Sequence, residues 1–386
     1  MSSSISYRHS SESRNPVPWR RWTPASAGVT TWWFMCMVLG KAMKHFLGIL
    51  LAACALLAST SAAQAADVAA LPQLKLDASR VAVAGLSSGA YMATQVQIAY
   101  PERFPAAALV AGGPYGCADG KLDVALSSCM KGTPAPDVAA LVDKARKRAK
   151  AGDNGALAAL AKGKVYVLHG KGDALVAPPV AEAAVSFYEK LRDGDAALKN
   201  FKVRDDGARD FAHNLPIAAK GDDCDKSVSP YLGHCGFDAA GEIFAELFGK
   251  PGHAAAEAKG ELRRFDQNAY KPDGADAFLA DEGYVYLPPS CLAGKPCGLL
   301  VAFHGCKQNV TAVGEAFVKD AGFNRWADVY GVAVLYPQTR ASMAPLNPQA
   351  CWDWWGYSGA NYDTRQGVQL RWLVRAVEAL GLPPSR

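Results

Sequence analysis

The apolar positions of this chain fall into short blocks separated by glycine-rich and polar punctuation. Val81-Ala82-Val83-Ala84 is an apolar run that ends on a glycine turn, and the stretch from Ala90 to Tyr100 after it is amphipathic. That pattern predicts a strand, a sharp turn and a helix. Ala106 to Val110 and Lys164 to Leu168 predict two more strands, and Phe201-Lys202-Val203 a weaker one. Ala239 to Phe248 reads as a helix ended by Gly249, and residues 249–260, rich in Gly and Ala, read as a linker. Beyond them, the runs from Leu262 to Asp266, Tyr284 to Leu287, Leu299 to Phe303 and Val332 to Tyr336 read as strands. Val368 to Leu380 reads as a helix with Leu, Val and Ala on one face. Strands alternating with helices predict an α/β fold: a mostly parallel central sheet with helices on both faces.

The front of the chain stands outside this pattern. Residues 43–65 open Met-Lys-His, continue as an apolar run from Phe46 to Ala58, and end Ala63-Gln64-Ala65. A positive start, an apolar middle and small residues at the end form a secretory signal peptide. The run is too short for a permanent membrane span. Leu51-Ala52-Ala53-Cys54 has the look of a lipoprotein box, but it falls inside the apolar run, so cleavage after Ala65 is expected. Residues 1–42, which precede Met43, read as an upstream extension from a misassigned start. Residues 66–386 are then expected to be one catalytic domain.

Removing residues 1–65 takes away six basic residues and one acid, so the net charge of +5 becomes 5 − 5 = 0. No basic footprint for nucleic acid is left, and an uncharged partner fits better. The ten cysteines become eight, and six of these form near pairs: Cys117 and Cys129, Cys224 and Cys235, Cys291 and Cys297. Cys306 and Cys351 are left over. An even count in an exported chain reads as disulfides, and no zinc-type spacing competes with that reading.

Gly85-Leu86-Ser87-Ser88-Gly89 has the Gly-x-Ser-x-Gly form of a nucleophile elbow, in its expected setting between strand and helix. A serine hydroxyl needs an imidazole base and an orienting carboxylate. Asp173, in His169-Gly170-Lys171-Gly172-Asp173, follows a strand end. Of the five histidines after residue 65, His213 follows Asp173 and keeps the order Ser, Asp, His that this chemistry uses in α/β hydrolases. His169 is the alternative base; His304 sits in a strand-end His-Gly pair that suits a structural role. The Ser88 amide is the first expected oxyanion donor. The second is the Cys306 amide, in the loop Phe303-His304-Gly305-Cys306. That loop ordinarily precedes the serine, yet here it follows by more than 200 residues. Joining the carboxyl end to residue 76 would restore a helix-to-elbow connection. The fold is therefore expected to be a circularly permuted α/β hydrolase, with residues 249–260 bridging the original ends. In Cys351-Trp352-Asp353-Trp354-Trp355-Gly356-Tyr357, the tryptophans Trp352, Trp354 and Trp355 offer either core or an apolar platform for substrate. A Cys306–Cys351 disulfide would pin that segment beside the oxyanion loop.

Taken together, Gly85 to Ala90, His169 to Asp173, Phe303 to Cys306, Tyr336-Pro337-Gln338 and Cys351 to Tyr357 resemble the single-domain, circularly permuted poly(3-hydroxybutyrate) depolymerases. The resemblance covers nearly all of residues 74–386, and Cys-Trp-Asp-Trp-Trp is its most specific part. It implies a triad of Ser87, Asp173 and His213, oxyanion donors at Ser88 and Cys306, and pairing of Cys306 with Cys351. One departure is Ala212, where the family often has glycine before its histidine. The expected activity is hydrolysis of polyhydroxybutyrate or a related short-chain polyester, secreted or periplasmic, by a monomer with no metal or organic cofactor. A feruloyl- or acetyl-type esterase and a non-catalytic polymer-binding envelope protein are the rival readings.

Overall fold

The computed structural model describes residues 68–384 apart from residue 219. The expected extension and signal peptide lie outside the described residues. An eight-stranded sheet runs through the middle of the domain. Its strands are β1 (Leu76–Leu86), β2 (Ala106–Val110), β3 (Lys164–Gly170), β4 (Lys202–Arg209), β8 (Glu261–Asp266), β9 (Glu282–Leu287), β10 (Cys297–Phe303) and β11 (Val332–Tyr336). Their order is β4-β3-β2-β1-β10-β11-β9-β8. The six strands from β4 to β11 are parallel, and β9 and β8 close one end in antiparallel pairing. Three short strands, β5 (Leu215–Ile217), β6 (Asp222–Asp223) and β7 (Leu232–His234), form a separate small parallel sheet in the order β5-β7-β6.

The central strands are apolar through their buried stretches because both faces of the sheet are covered there. Val81, Val83, Leu109, Val167 and Val301 point into one core, beneath helices α1 (Ser88–Ala99), α2 (Val138–Ala151), α3 (Pro178–Asp193) and α6 (Val368–Ala379). The alternate residues Ala82, Ala84, Val110, Leu168 and Leu300 point into a second core, beneath α4 (Ala239–Phe248) and α5 (Phe323–Tyr330). Local chemistry sets the helix ends. Asp137 caps α2 by accepting the Ala140 N–H at 3.1 Å, and Gly152 ends it at φ 85°. Pro178 and Pro179 open α3, where a missing N–H costs nothing.

Every strand and helix expected from the apolar pattern is present, whereas α2, α3, α5 and the small sheet were not foreseen. Residues 249–260 hold neither helix nor strand and connect α4 to β8. The two ends of the described domain meet: the Leu74 N–H donates to the Leu380 carbonyl at 2.8 Å, directly after α6. Among the described residues, no helix is long and apolar enough to cross a membrane.

Candidate active site

A single residue, Ser87, joins β1 to α1. Its backbone sits at φ 57°, ψ −120°, a region that costs a non-glycine residue about 1–3 kcal/mol. The turn is held by the Ser87 N–H, which donates to the Val110 carbonyl at 2.9 Å, and by the Ser87 carbonyl, which accepts from Ala90 N–H at 2.9 Å. The two motif glycines are needed for space. A Cβ on Gly85 would lie 2.2 Å from the Gly89 carbonyl carbon, and one on Gly89 would lie 2.3 Å from the Phe303 oxygen. The serine takes the strained backbone while the glycines let β1, α1 and β10 approach each other.

Asp173 follows β3 and is buried. Its Oδ1 accepts the N–H groups of Leu175 and Val176, both at 2.9 Å. Its Oδ2 lies 2.7 Å from His213 Nδ1. An ionised carboxylate only accepts, so Nδ1 carries the proton and Nε2 keeps a lone pair, the tautomer a general base needs. His213 sits between β4 and the small sheet, in a loop fastened from several sides. Its own N–H donates to Ser227 Oγ at 3.0 Å, and the Ala212 N–H donates to the Cys224 carbonyl at 3.0 Å. The side chain of Asn214 donates to the carbonyls of Cys224 and Lys226, and Cys224 is bonded to Cys235.

His169, the alternative base, does not line the cavity that Ser87 and His213 share. Its Nε2 is 3.9 Å from Asp173 Oδ2, beyond hydrogen-bonding distance, and burial holds its imidazole below the ordinary value. His304 has a positional role. Its Nδ1–H donates to the Gly305 carbonyl at 2.7 Å, and its Nε2 accepts the Thr339 N–H at 3.3 Å. Burial pushes its pKa down to about 4, which keeps it neutral at the start of the loop that leads to Cys306.

Ser87, Ser88, His213 and Cys306 all line one cavity of about 460 Å³. Ser88 begins α1, where a helix leaves its first amides without intrahelical partners. Cys306 is disulfide-bonded to Cys351, with their Cα atoms 4.2 Å apart. The other expected pairs, Cys117–Cys129, Cys224–Cys235 and Cys291–Cys297, are also bonded.

Of the three tryptophans that offered either core or platform, two line the cavity and one is core. Trp354 and Trp355 line the cavity, and Trp354 stacks on Tyr91 at 4.6 Å. Trp352 is only 1% exposed and packs against Phe303 at 4.9 Å and His304 at 5.6 Å. It is core beneath the loop from His304 to Cys306. Asp353, which sequence reasoning passed over, organises the segment. Its Oδ1 accepts the N–H groups of Trp355, Gly356 and Tyr357, and its Oδ2 accepts the N–H and Oγ–H of Ser358. Burial still pushes this carboxyl above its usual range. The signal available in sequence was an Asp followed by a glycine and a serine, the composition of a turn built on one carboxylate.

The family model described as Esterase PHB depolymerase matches residues 52–200 and 282–381. His213 lies between the two matched stretches. The chain is 34% identical over 313 residues to a poly(3-hydroxybutyrate) depolymerase of Delftia acidovorans, covering 80% of this chain but 61% of that protein. It is 32% identical over 342 residues to a polyhydroxybutyrate depolymerase of Talaromyces funiculosus, covering 84% of this chain and 96% of the other. Among solved structures, it is similar to a serine-to-alanine PHB depolymerase variant complexed with an R3HB trimer, at 28% identity and a TM-score of 0.72, covering 81% of this chain and 98% of that one. The PHB depolymerase from Penicillium funiculosum is 30% identical with a TM-score of 0.69, over the same shares. With its mostly parallel sheet, its helices on both faces and this matched sequence, the chain is an α/β-hydrolase-type enzyme that belongs to the esterase PHB depolymerase family.

Proposed function

We propose that this chain hydrolyses ester bonds of poly(3-hydroxybutyrate) or a related short-chain polyhydroxyalkanoate outside the cytoplasm, with Ser87, Asp173 and His213 as its triad. One observation carries the reading: a serine on a strained strand-to-helix turn shares a single apolar cavity with a histidine held by a buried aspartate. His213 Nε2 takes the Ser87 proton as Ser87 Oγ attacks the ester carbonyl. The amides of Ser88 and Cys306 hold the resulting oxyanion, an interaction worth about 3 kcal/mol per donor. Collapse expels the alcohol end of the polymer, which takes the proton from His213. Water, deprotonated by the same histidine, then releases the acid and restores Ser87.

The cavity mouth supports a polymeric substrate. Leu122, Leu126, Leu175 and Leu346 are exposed to solvent and also line the cavity, so apolar surface surrounds the entrance. A feruloyl or acetyl ester on a polysaccharide would be met by a more polar rim. The four disulfides among the described residues suit an exported enzyme, and a monomer is the state we assign. The permuted chain order is supported by the Leu74–Leu380 hydrogen bond, which brings the end of α6 beside the start of β1. Ser87→Ala should abolish clearing of polymer films while leaving the melting temperature near that of the parent. Clearing at the parent's rate in that variant excludes the scheme.

A further inference from the structure

The lining of the active-site cavity contains one formally charged side chain besides the proposed base, among the described residues: Lys307. It directly follows Cys306, the proposed oxyanion donor, and lines the same cavity as Ser87 and His213. Three features describe it. It is exposed at the cavity and forms no ion pair among the described residues, so its ammonium is not already neutralised by a carboxylate. Its backbone is left-handed at φ 58°, where a glycine would sit without strain. It is also fixed in that conformation, because its N–H donates to the Gln349 carbonyl at 2.7 Å and the neighbouring Cys306 is bonded to Cys351. A side chain kept at a strained position beside the chemistry points to a use for that side chain.

We propose that Lys307 binds the terminal carboxylate of hydroxyalkanoate oligomers and so makes the free acid end of the substrate a recognised element. The inference rests on the polyester reading and adds the substrate's charged terminus to it. Chemistry decides which fragment carries the charge. The fragment that acylates Ser87 retains only its free hydroxyl end, so the carboxylate belongs to the fragment that leaves as the alcohol. Lys307 then holds the departing product, and short free acids compete for the same cation. The neighbouring carboxamides Gln308, Asn347 and Gln349 give that stretch of lining a polar character, while Met130 and the leucines supply the apolar remainder.

The test uses hydroxybutyrate trimers and tetramers prepared both as free acids and as methyl esters. An exposed ion pair supports a preference for the acid of roughly two- to fivefold in kcat/KM, carried by KM and reduced by added salt. In Lys307→Met the ratio of acid to ester should fall to about one, and inhibition by 3-hydroxybutyrate should weaken by a similar factor; Lys307→Arg should keep both. An equal rate on acid and ester in the parent, or a preference that survives Lys307→Met, overturns the proposal. Failure of the parent to hydrolyse either oligomer would instead count against the polyester reading itself.

Discussion

Replacing Asp173 by Asn tests the proposed chemistry with almost no change of shape. Oδ1 of Asp173 accepts two backbone N–H groups and Oδ2 faces His213 Nδ1, so the site asks for acceptors on both sides. An asparagine has one carbonyl oxygen and one NH2 group. If its oxygen stays with Leu175 and Val176, its NH2 points at His213 Nδ1 and drives that ring to the opposite tautomer. Nε2 then carries a proton and cannot take another from Ser87. The reverse orientation sets an NH2 group against two N–H donors and leaves them without an acceptor, at about 1–3 kcal/mol each. The first arrangement therefore wins, and the base is lost. The same exchange in a Ser-His-Asp enzyme lowers kcat by about 10⁴, or roughly 5 kcal/mol of transition-state stabilisation. Hydrolysis of a soluble p-nitrophenyl ester by Asp173→Asn should fall by that order, with KM close to the parent's. Because both backbone hydrogen bonds survive, chemical denaturation should show a stability loss under about 2 kcal/mol. A kcat within tenfold of the parent, with the fold intact, would refute the assignment of Asp173 as the group that orients His213.

Three further outcomes follow from particular contacts. Removing the Cys306–Cys351 bond by a double alanine substitution frees a 45-residue separation, which chain entropy converts to about 4 kcal/mol of stability, readable in a urea titration. A loss under about 1 kcal/mol would mean that the bond does not stabilise the fold through the unfolded chain as that estimate supposes. Trp355→Ala should raise KM for esters several-fold, whereas Trp352→Phe should cost about 1–3 kcal/mol of stability and leave KM alone. Equal KM effects from the two variants would contradict their separate placement. His304 is pushed down to about 4 from an ordinary 6.5, so the unfolded chain binds a proton that the folded chain refuses between those values. Stability should fall as pH drops from about 6.5 to 4, by up to about 3 kcal/mol from this residue, with His169 acting in the same direction. Denaturation at several pH values should show that slope reduced in His304→Gln, and an unchanged slope would locate the effect elsewhere.

The strands and the elbow were readable in sequence because a doubly covered sheet leaves unbroken apolar runs, and because Gly85-x-Ser87-x-Gly89 answers a steric demand. Asp173 and His213 were singled out by chain order, and the structure sets His213 Nδ1 2.7 Å from Asp173 Oδ2. The support of His213 was not readable: β5, β6 and β7 are two or three residues long, too short for any period to register. Helix α2 escaped notice because its sequence is dense in lysine and arginine, with only Leu141, Val142 and Ala145 buried on one face. The tryptophans stayed undivided between core and platform for a related reason. In an irregular segment no period tells inward from outward, so Trp352 and Trp354 look alike in sequence although one packs under β10 and the other faces the cavity.

The carboxylate of Asp353 has a consequence for the entropy of binding. A polyester chain has many rotatable bonds per repeat and gives up freedom wherever it is gripped, so a partner that also had to order itself would add its own cost. Five donors converging on one buried carboxylate have already fixed the run from Trp355 to Ser358. Ordering a loop at a binding surface has an entropic cost, and for the backbone of this run that cost is met when the protein folds. Along this stretch of the cavity wall, the disorder that binding must remove comes from the substrate.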